Sequence, residues 1–234
     1  MNFQKILPAA LICLLAPFAA AEEIDDVLAA FDAVQASISS LSADFRETTT
    51  SELLLEPAVS EGQIYLNKPN SLRWEYASPE PMQFVIASDQ YTGYFPSRNK
   101  AERRNIKRWS DRIFRVVGIG QSSDELGRYY DIRLGTDEER GEVDGQVLLV
   151  LEPRRKRIKR RVEDLRFWVD ASSWLPHRIE YRGASGDKRV IEFSDVQLNP
   201  DLSASTFLVD LPQGVELSDS FTGLPGFADA ATQD

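Results

Sequence analysis

Between Ser71 and Tyr76 the side chains alternate: Leu72, Trp74 and Tyr76 fall on one phase, Arg73 and Glu75 on the other. A period of two marks a strand with one buried face. Two of these three inward residues carry very large rings, so the sheet they belong to must cover more apolar volume than a small sheet usually encloses. Similar segments recur roughly every eight to twelve residues, which predicts a meander that curls into a sandwich or barrel. The expected strands are 43–50, 61–67, 72–76, 82–87 and 91–95, then 129–134, 146–151, 162–170, 176–182, 189–198 and 207–211. Lys68-Pro69-Asn70 and Ser88-Asp89-Gln90 read as the turns between early strands.

Helical periodicity appears in few places. Ile24, Val27, Leu28, Phe31, Val34, Ile38 and Leu41 recur at three- and four-residue steps and predict an amphipathic helix from Ile24 to Ser42, with Asp25 and Asp26 in its first turn. Ser110 can cap a short helix in which Ile113, Phe114 and Val117 share a face and Gly118 is the stop; Ser122 or Ser123 can start another turn before Gly127. No connection has the length and pattern of a parallel crossover, so the strands are expected to be antiparallel. The helices are then expected at the mouth of a curled sheet.

The N-terminus has its own logic. Lys5, an apolar run from Ile6 to Phe18 and Ala19-Ala20-Ala21 have the form of a secretory signal peptide, residues 1–21, cleaved after Ala21. The run falls short of the ~20 apolar residues of a membrane-spanning helix. Residues 22–217 are expected to form a single domain, followed by a loosely held tail, 218–234, that is small, polar and glycine-bearing. The only cysteine, Cys13, sits inside the apolar run without the small residues a lipidation signal needs. The exported chain then has no cysteine and must fold on its core alone.

The formal net charge of −10 argues against nucleic acid and against lasting adhesion to anionic membranes. One segment runs the other way: Pro153 to Arg161 reads PRRKRIKRR, with seven basic residues. It reads either as a solvated hairpin or as a docking patch for an acidic partner or a lipid headgroup.

Catalytic signatures are sparse. His177 is the sole histidine, next to a proline at a strand start, and no cysteine accompanies it to complete a metal site. No G-x-S-x-G or P-loop occurs, and the segment VGIGQSS lacks the third glycine of a dinucleotide fingerprint. Acids are plentiful, but they lie on the polar phase of strands or in loops such as GTDEERGEVDG. The reading is a binding protein, neither an enzyme nor dependent on a cofactor or metal.

The order of LSADFRETT, GQIYLNKPNSLRWEY, SDQYTGYFP and the closing VIEFSDVQLNPDLSASTFLVDLPQGVEL resembles the LolA family of periplasmic outer-membrane lipoprotein carriers, from about Ile24 to Leu217. The resemblance implies a mainly β fold with some α: an unclosed antiparallel β-barrel with a helical lid over an apolar cavity. It implies a monomeric periplasmic carrier that takes acylated lipoproteins from an ATP-driven (ABC-type) lipoprotein-release transporter of the inner membrane. The cargo would pass to an outer-membrane lipoprotein receptor. On that reading Trp74, Tyr76 and Phe84, with Phe31 and Phe114 from the helices, line the acyl site, together with Phe45, Leu72, Ile86 and Phe95. Family members typically carry an arginine before Pro-Asn that reaches the lid; here Lys68 stands there, a cation without the planar fork of donors. Alternatives are a lipid or lipoprotein sensor, or a carrier of another acylated lipid, of the same fold; a hydrolase is disfavoured by the sparse catalytic inventory.

Overall fold

The structure is a computed structural model and describes residues 16–107, 120–141 and 145–221, with side chains from Glu23 onward. A single twelve-stranded sheet dominates it, in the order β12-β6-β5-β4-β3-β2-β1-β11-β10-β9-β8-β7. The first half of the chain supplies β1 (Ser40–Thr50), β2 (Ala58–Asn67), β3 (Ser71–Ser78), β4 (Met82–Ala87), β5 (Gln90–Phe95) and β6 (Lys100–Asn105) as one meander. The second half supplies β7 (Tyr130–Leu134), β8 (Gln146–Pro153), β9 (Val162–Asp170), β10 (Pro176–Gly183) and β11 (Lys188–Leu198) as another. The two meanders join where β1 pairs antiparallel with β11. β12 (Glu216–Ser218) adds to β6 in parallel, the exception among otherwise antiparallel pairs. The ends of the sheet, β7 and β12, do not pair with each other, so the curved sheet stays unclosed.

Strand registry explains how the concave face holds so many rings. Three rows cross the first meander: Leu41, Leu66, Leu72, Ile86 and Tyr91; Ala43, Ile64, Trp74, Phe84 and Gly93; and Phe45, Gly62, Tyr76 and Met82. Ala43, Gly62 and Gly93 are the small members of these rows and leave room for the rings beside them at interior packing density. At Gly62 a Cβ would lie 1.9 Å from the main-chain oxygen of Glu75, and across that glycine the Phe45 and Tyr76 rings meet edge-on at 5.1 Å. In the second meander Leu149, Phe167, Ile179 and Ile191 form the matching row. Apart from the two glycines and the half-buried Met82, all of these residues belong to one continuous core cluster.

Helix α1 (Ala16–Ser37) lays Phe31 into that cluster, the buried Ile38 follows directly after its end, and α2 (Ser123–Gly127) adds Leu126. A capping box at Ser122 and Glu125 starts α2 just ahead of β7. The convex face carries ion pairs around a small apolar cluster of Leu148, Val150 and Trp168. Its buried carboxylates Asp164 and Glu180 pair with Arg166 and Arg178, each at 3.2 Å.

Several expectations are corrected. The helix expected over 24–42 ends at Ser37, because the main-chain N–H of Ser39 and of Ser40 bond to the Asn199 side chain and turn the chain into β1, which takes Leu41. The strand expected over 207–211 is replaced by a 3-10 turn, Ala204–Phe207, seated on the convex face: Arg73 donates to the carbonyls of Thr206 and Leu208 at 3.2 and 3.1 Å. The basic run is not a plain hairpin but contains a helical turn, Lys156–Lys159, anchored by Ile158 on the core. Periodicity does not reveal β6 or β12, since KAERRN has no apolar alternation and β12 is only three residues long. The helix expected around Ser110 to Gly118 lies outside the described residues.

Candidate functional site

The inward face of the first meander gathers the aromatic residues singled out in the sequence. Phe31, Phe45, Leu72, Trp74, Tyr76, Phe84, Ile86 and Phe95 are all buried and share one cluster; Phe114 lies outside the described residues. The rings touch in sequence: Phe45 to Trp74 at 5.0 Å, Tyr76 to Phe84 at 6.2 Å, Phe84 to Phe95 at 5.7 Å and Phe84 to Tyr91 at 6.5 Å. Most of these contacts are apolar, so the interior attracts any apolar surface and prefers no particular one. These side chains are almost wholly out of water, and Phe31 of α1 packs among them.

What holds α1 in place is polar and local. Lys68, on the β2–β3 turn, donates from Nζ to the main-chain oxygen of Gln35 at 2.9 Å. Asn199, just past β11, donates to the oxygen of Ser37 at 3.1 Å. Both satisfy carbonyls that the end of a helix leaves without partners, and the lysine adds a positive charge where the helix dipole favours one. Burial pulls the Lys68 ammonium below its ordinary pKa, and the Glu125 carboxylate opposes that shift. The Gln35 side chain is itself almost fully buried, and its Oε1 accepts from the N–H of Gly120 at 2.7 Å. Asp32, one turn earlier, accepts from the N–H and the hydroxyl of Ser123, both at 2.6 Å, and so ties α1 to α2. A cavity of about 400 Å³ lies at this seam, lined by Gln35, Leu66, Lys68, Gly120, Ser122 and Glu125 among others.

The sequence reading missed three participants, and each had a signal. Gln35 interrupts the apolar stripe of α1 between Phe31 and Ile38. Asp32 sits beside that stripe. Glu47 occupies the inward phase of β1 after Leu41, Ala43 and Phe45, and stands opposite Ile191. Its carboxylate accepts from the Tyr76 hydroxyl at 2.8 Å and pairs with Arg189 Nε at 3.0 Å. Burial raises the Glu47 carboxyl above its usual range, with Arg189, Tyr76 and Thr49 opposing; burial and then the Glu47 charge push the Tyr76 phenol well up. The aromatic interior therefore has a polar floor at the end remote from α1's last turn. Among the described residues no three histidine, cysteine or acidic side chains gather as a metal site.

Residues 36–210 match the family model described as outer membrane lipoprotein carrier protein LolA. An outer-membrane lipoprotein carrier protein of Bordetella avium is 24% identical over 214 residues, which is 92% of this chain and 96% of that one. A protein of the same name from Chromohalobacter salexigens is 24% identical over 185 residues, 77% of this chain and 81% of that one. Among solved structures, a LolA superfamily protein from Nitrosomonas europaea superposes with a TM-score of 0.41 at 13% identity, over 79% of this chain and 97% of that one. Among the described residues no helix is long and apolar enough to cross a membrane. With a family model spanning most of its length and a carrier aligned nearly end to end, this chain belongs to the LolA family.

Proposed function

We propose that the protein is a periplasmic carrier that takes lipoproteins by their acyl chains from the inner membrane and delivers them to the outer membrane. The observation that carries this reading is the aromatic interior of β1 to β5, covered by a helix that is fastened at its end by a few polar bonds. Acyl chains in water carry a transfer penalty of ~0.8 kcal/mol per CH₂, so a shuttle must cover them completely. It must also let go. Rings and aliphatics cover without directional bonds, and Lys68, Asn199 and Asp32 hold the cover with bonds that can be exchanged one at a time. In the empty carrier the rings pack against one another and against Phe31 of α1. On loading, α1 moves off and the chains replace its apolar face against Trp74, Phe84 and their neighbours.

On this reading the export signal is residues 1–21, the giver is an ATP-driven transporter of the inner membrane and the taker is a receptor in the outer membrane. The carrier names of the aligned relatives support the cargo class. The test is release. Spheroplasts displaying an outer-membrane lipoprotein are mixed with the purified protein, and the supernatant is examined for a one-to-one complex. Appearance of that complex supports the carrier. A folded protein that releases nothing, beside a working control carrier, overturns it, and whichever lipid copurifies then defines the cargo.

A further inference from the structure

The end of the sheet opposite α1's last turn combines two features that the carrier reading does not use. The first is the β1–β2 connection, Ser51 to Pro57. Leu53 is 94% exposed, Leu54 42%, and Leu55 completely. The turn is braced from within, with the N–H of Leu54 bonded to the oxygen of Ser51 at 3.0 Å and that of Leu53 to its hydroxyl at 3.3 Å. Three consecutive leucines are thus held out into water by a hydrogen-bonded turn. Contiguous exposed apolar surface of this kind marks an interaction site.

The second is the basic run. All seven of its cations are exposed, while Ile158 packs on the core and fixes the turn that displays them. Arg154 pairs with Asp131 at 2.8 Å and Arg155 lies over the Tyr129 ring. Lys156, Lys159, Arg160 and Arg161 have no carboxylate partner among the described residues.

These two features are neighbours. Thr50, the last residue of β1, pairs with Lys188 at the start of β11, which sets Ser51 beside the β10–β11 turn. The same turn donates from the N–H of Ala184 to the oxygen of Arg161 at 2.8 Å, and Gly183 pairs with Val162. The leucine tip, the β10–β11 turn and the cationic turn therefore form one continuous end of the molecule.

We infer that this end docks reversibly on an anionic phospholipid bilayer. The leucines enter the boundary of the acyl region and the cations meet lipid phosphates. An apolar tip beside a polybasic patch is the combination that gives interfacial binding, where either signal alone is weak. Glu52 and Glu56 flank the leucines and Asp187 lies in the joining turn, and all three weaken the attraction, but Lys156, Lys159, Arg160 and Arg161 outnumber them. The rest of the chain is acidic, so an anionic surface repels the other faces and orients the molecule with this end down. A purely acidic protein partner would engage the cations and leave three leucines in water, which is why the bilayer is the better fit.

The experiment is vesicle flotation of the protein recovered from the periplasmic fraction. Vesicles of phosphatidylglycerol and phosphatidylethanolamine are compared with vesicles of phosphatidylcholine, at low salt and at ~0.3 M salt. Two variants are run beside the parent: Leu53→Ser with Leu54→Ser and Leu55→Ser, and Lys156→Glu with Lys159→Glu, Arg160→Glu and Arg161→Glu. All seven positions are solvent-exposed, and unchanged melting curves establish that the fold is intact. The parent should float with the anionic vesicles at low salt and be released by salt. The charge variant should partition at least about tenfold less. The leucine variant should also fall, at both salt concentrations. Absence of parent flotation, or equal partitioning of all three proteins, overturns the inference. So does leucine-independent capture by an acidic protein with no vesicle binding. Lipoprotein release from spheroplasts is read separately, so failure here and failure of the carrier reading are distinguishable.

Discussion

Lys68 Nζ lies 2.9 Å from the main-chain oxygen of Gln35, so one side chain on a sheet turn closes the last turn of the helix that covers the curved sheet. A hydrogen bond from a charged donor contributes ~1.5–3 kcal/mol, and partial exposure of this ammonium lowers that to about 1 kcal/mol. Lys68→Leu should therefore loosen the end of α1 without unfolding the sheet. Amide exchange over 31–37 should quicken by about fivefold while the amides of β2 and β3 keep their protection. Cargo release should change more than uptake. Unchanged exchange in α1 would remove the latch.

Gly62 is required by its neighbours. A Cβ at this position would lie 1.9 Å from the Glu75 oxygen, a clash with main chain, which cannot rotate away. Gly62→Ala should cost about 1–3 kcal/mol, as overpacking does, and should disturb the Phe45–Tyr76 ring contact. Thermal denaturation measures the first. Loss of near-ultraviolet circular dichroism at unchanged far-ultraviolet signal measures the second.

Glu47 gives the stability curve a recognisable slope. A carboxyl whose folded pKa is raised holds its proton more readily folded than unfolded. Its contribution therefore falls as pH rises from the ordinary 4.5 through the folded value, and is constant above that. Glu139 and Asp170 act oppositely and in a lower window. Arg133 holds Glu139 down to about 2, and the Ser172 and Ser173 hydroxyls and N–H groups do the same for Asp170, so their stabilisation is lost only as pH falls toward that value. Glu47→Gln should abolish the decline above 4.5 and leave the acid limb unchanged. Urea midpoints measured across mildly acid pH would show it; a decline that persists in the variant would assign it elsewhere.

Trp74 and Trp168 lie on opposite faces of the sheet, the first in the main core and the second in a separate convex cluster with Leu148 and Val150. If acyl chains enter the aromatic interior, a brominated acyl chain should quench Trp74 strongly and Trp168 hardly at all. Variants retaining one of the two tryptophans, with the others replaced by phenylalanine, separate the signals. Equal quenching of both would place the chains outside the interior.

The sequence and the structure divide along physical lines. Ten of the strands are legible as apolar segments, most of them alternating because one face is dry; β4 and β8 are instead continuous apolar runs, buried on both faces over Phe84–Ile86 and Leu148–Leu151. The apolar signal fails at β6, where KAERRN carries charge on both phases, and at 207–211, where the chain instead seats a 3-10 turn on Arg73. The aromatic residues of the candidate site are legible for the same reason as the strands: large rings on the inward phase have nowhere else to go. Gln35 and Glu47 are visible only as polar breaks in apolar stripes, and a stripe does not say what such a break will meet.

By itself, then, the sequence determined the strands, the covering helix and the apolar character of what lies between them, since these follow from local periodicity and burial. Tertiary structure alone decided the pairing of β1 with β11, the meeting of Lys68 with Gln35 and of Glu47 with Arg189, and the joining of the leucine tip to the basic turn. Those contacts link residues far apart in the chain, and their geometry depends on strand register and sheet curvature, which the whole sheet sets together.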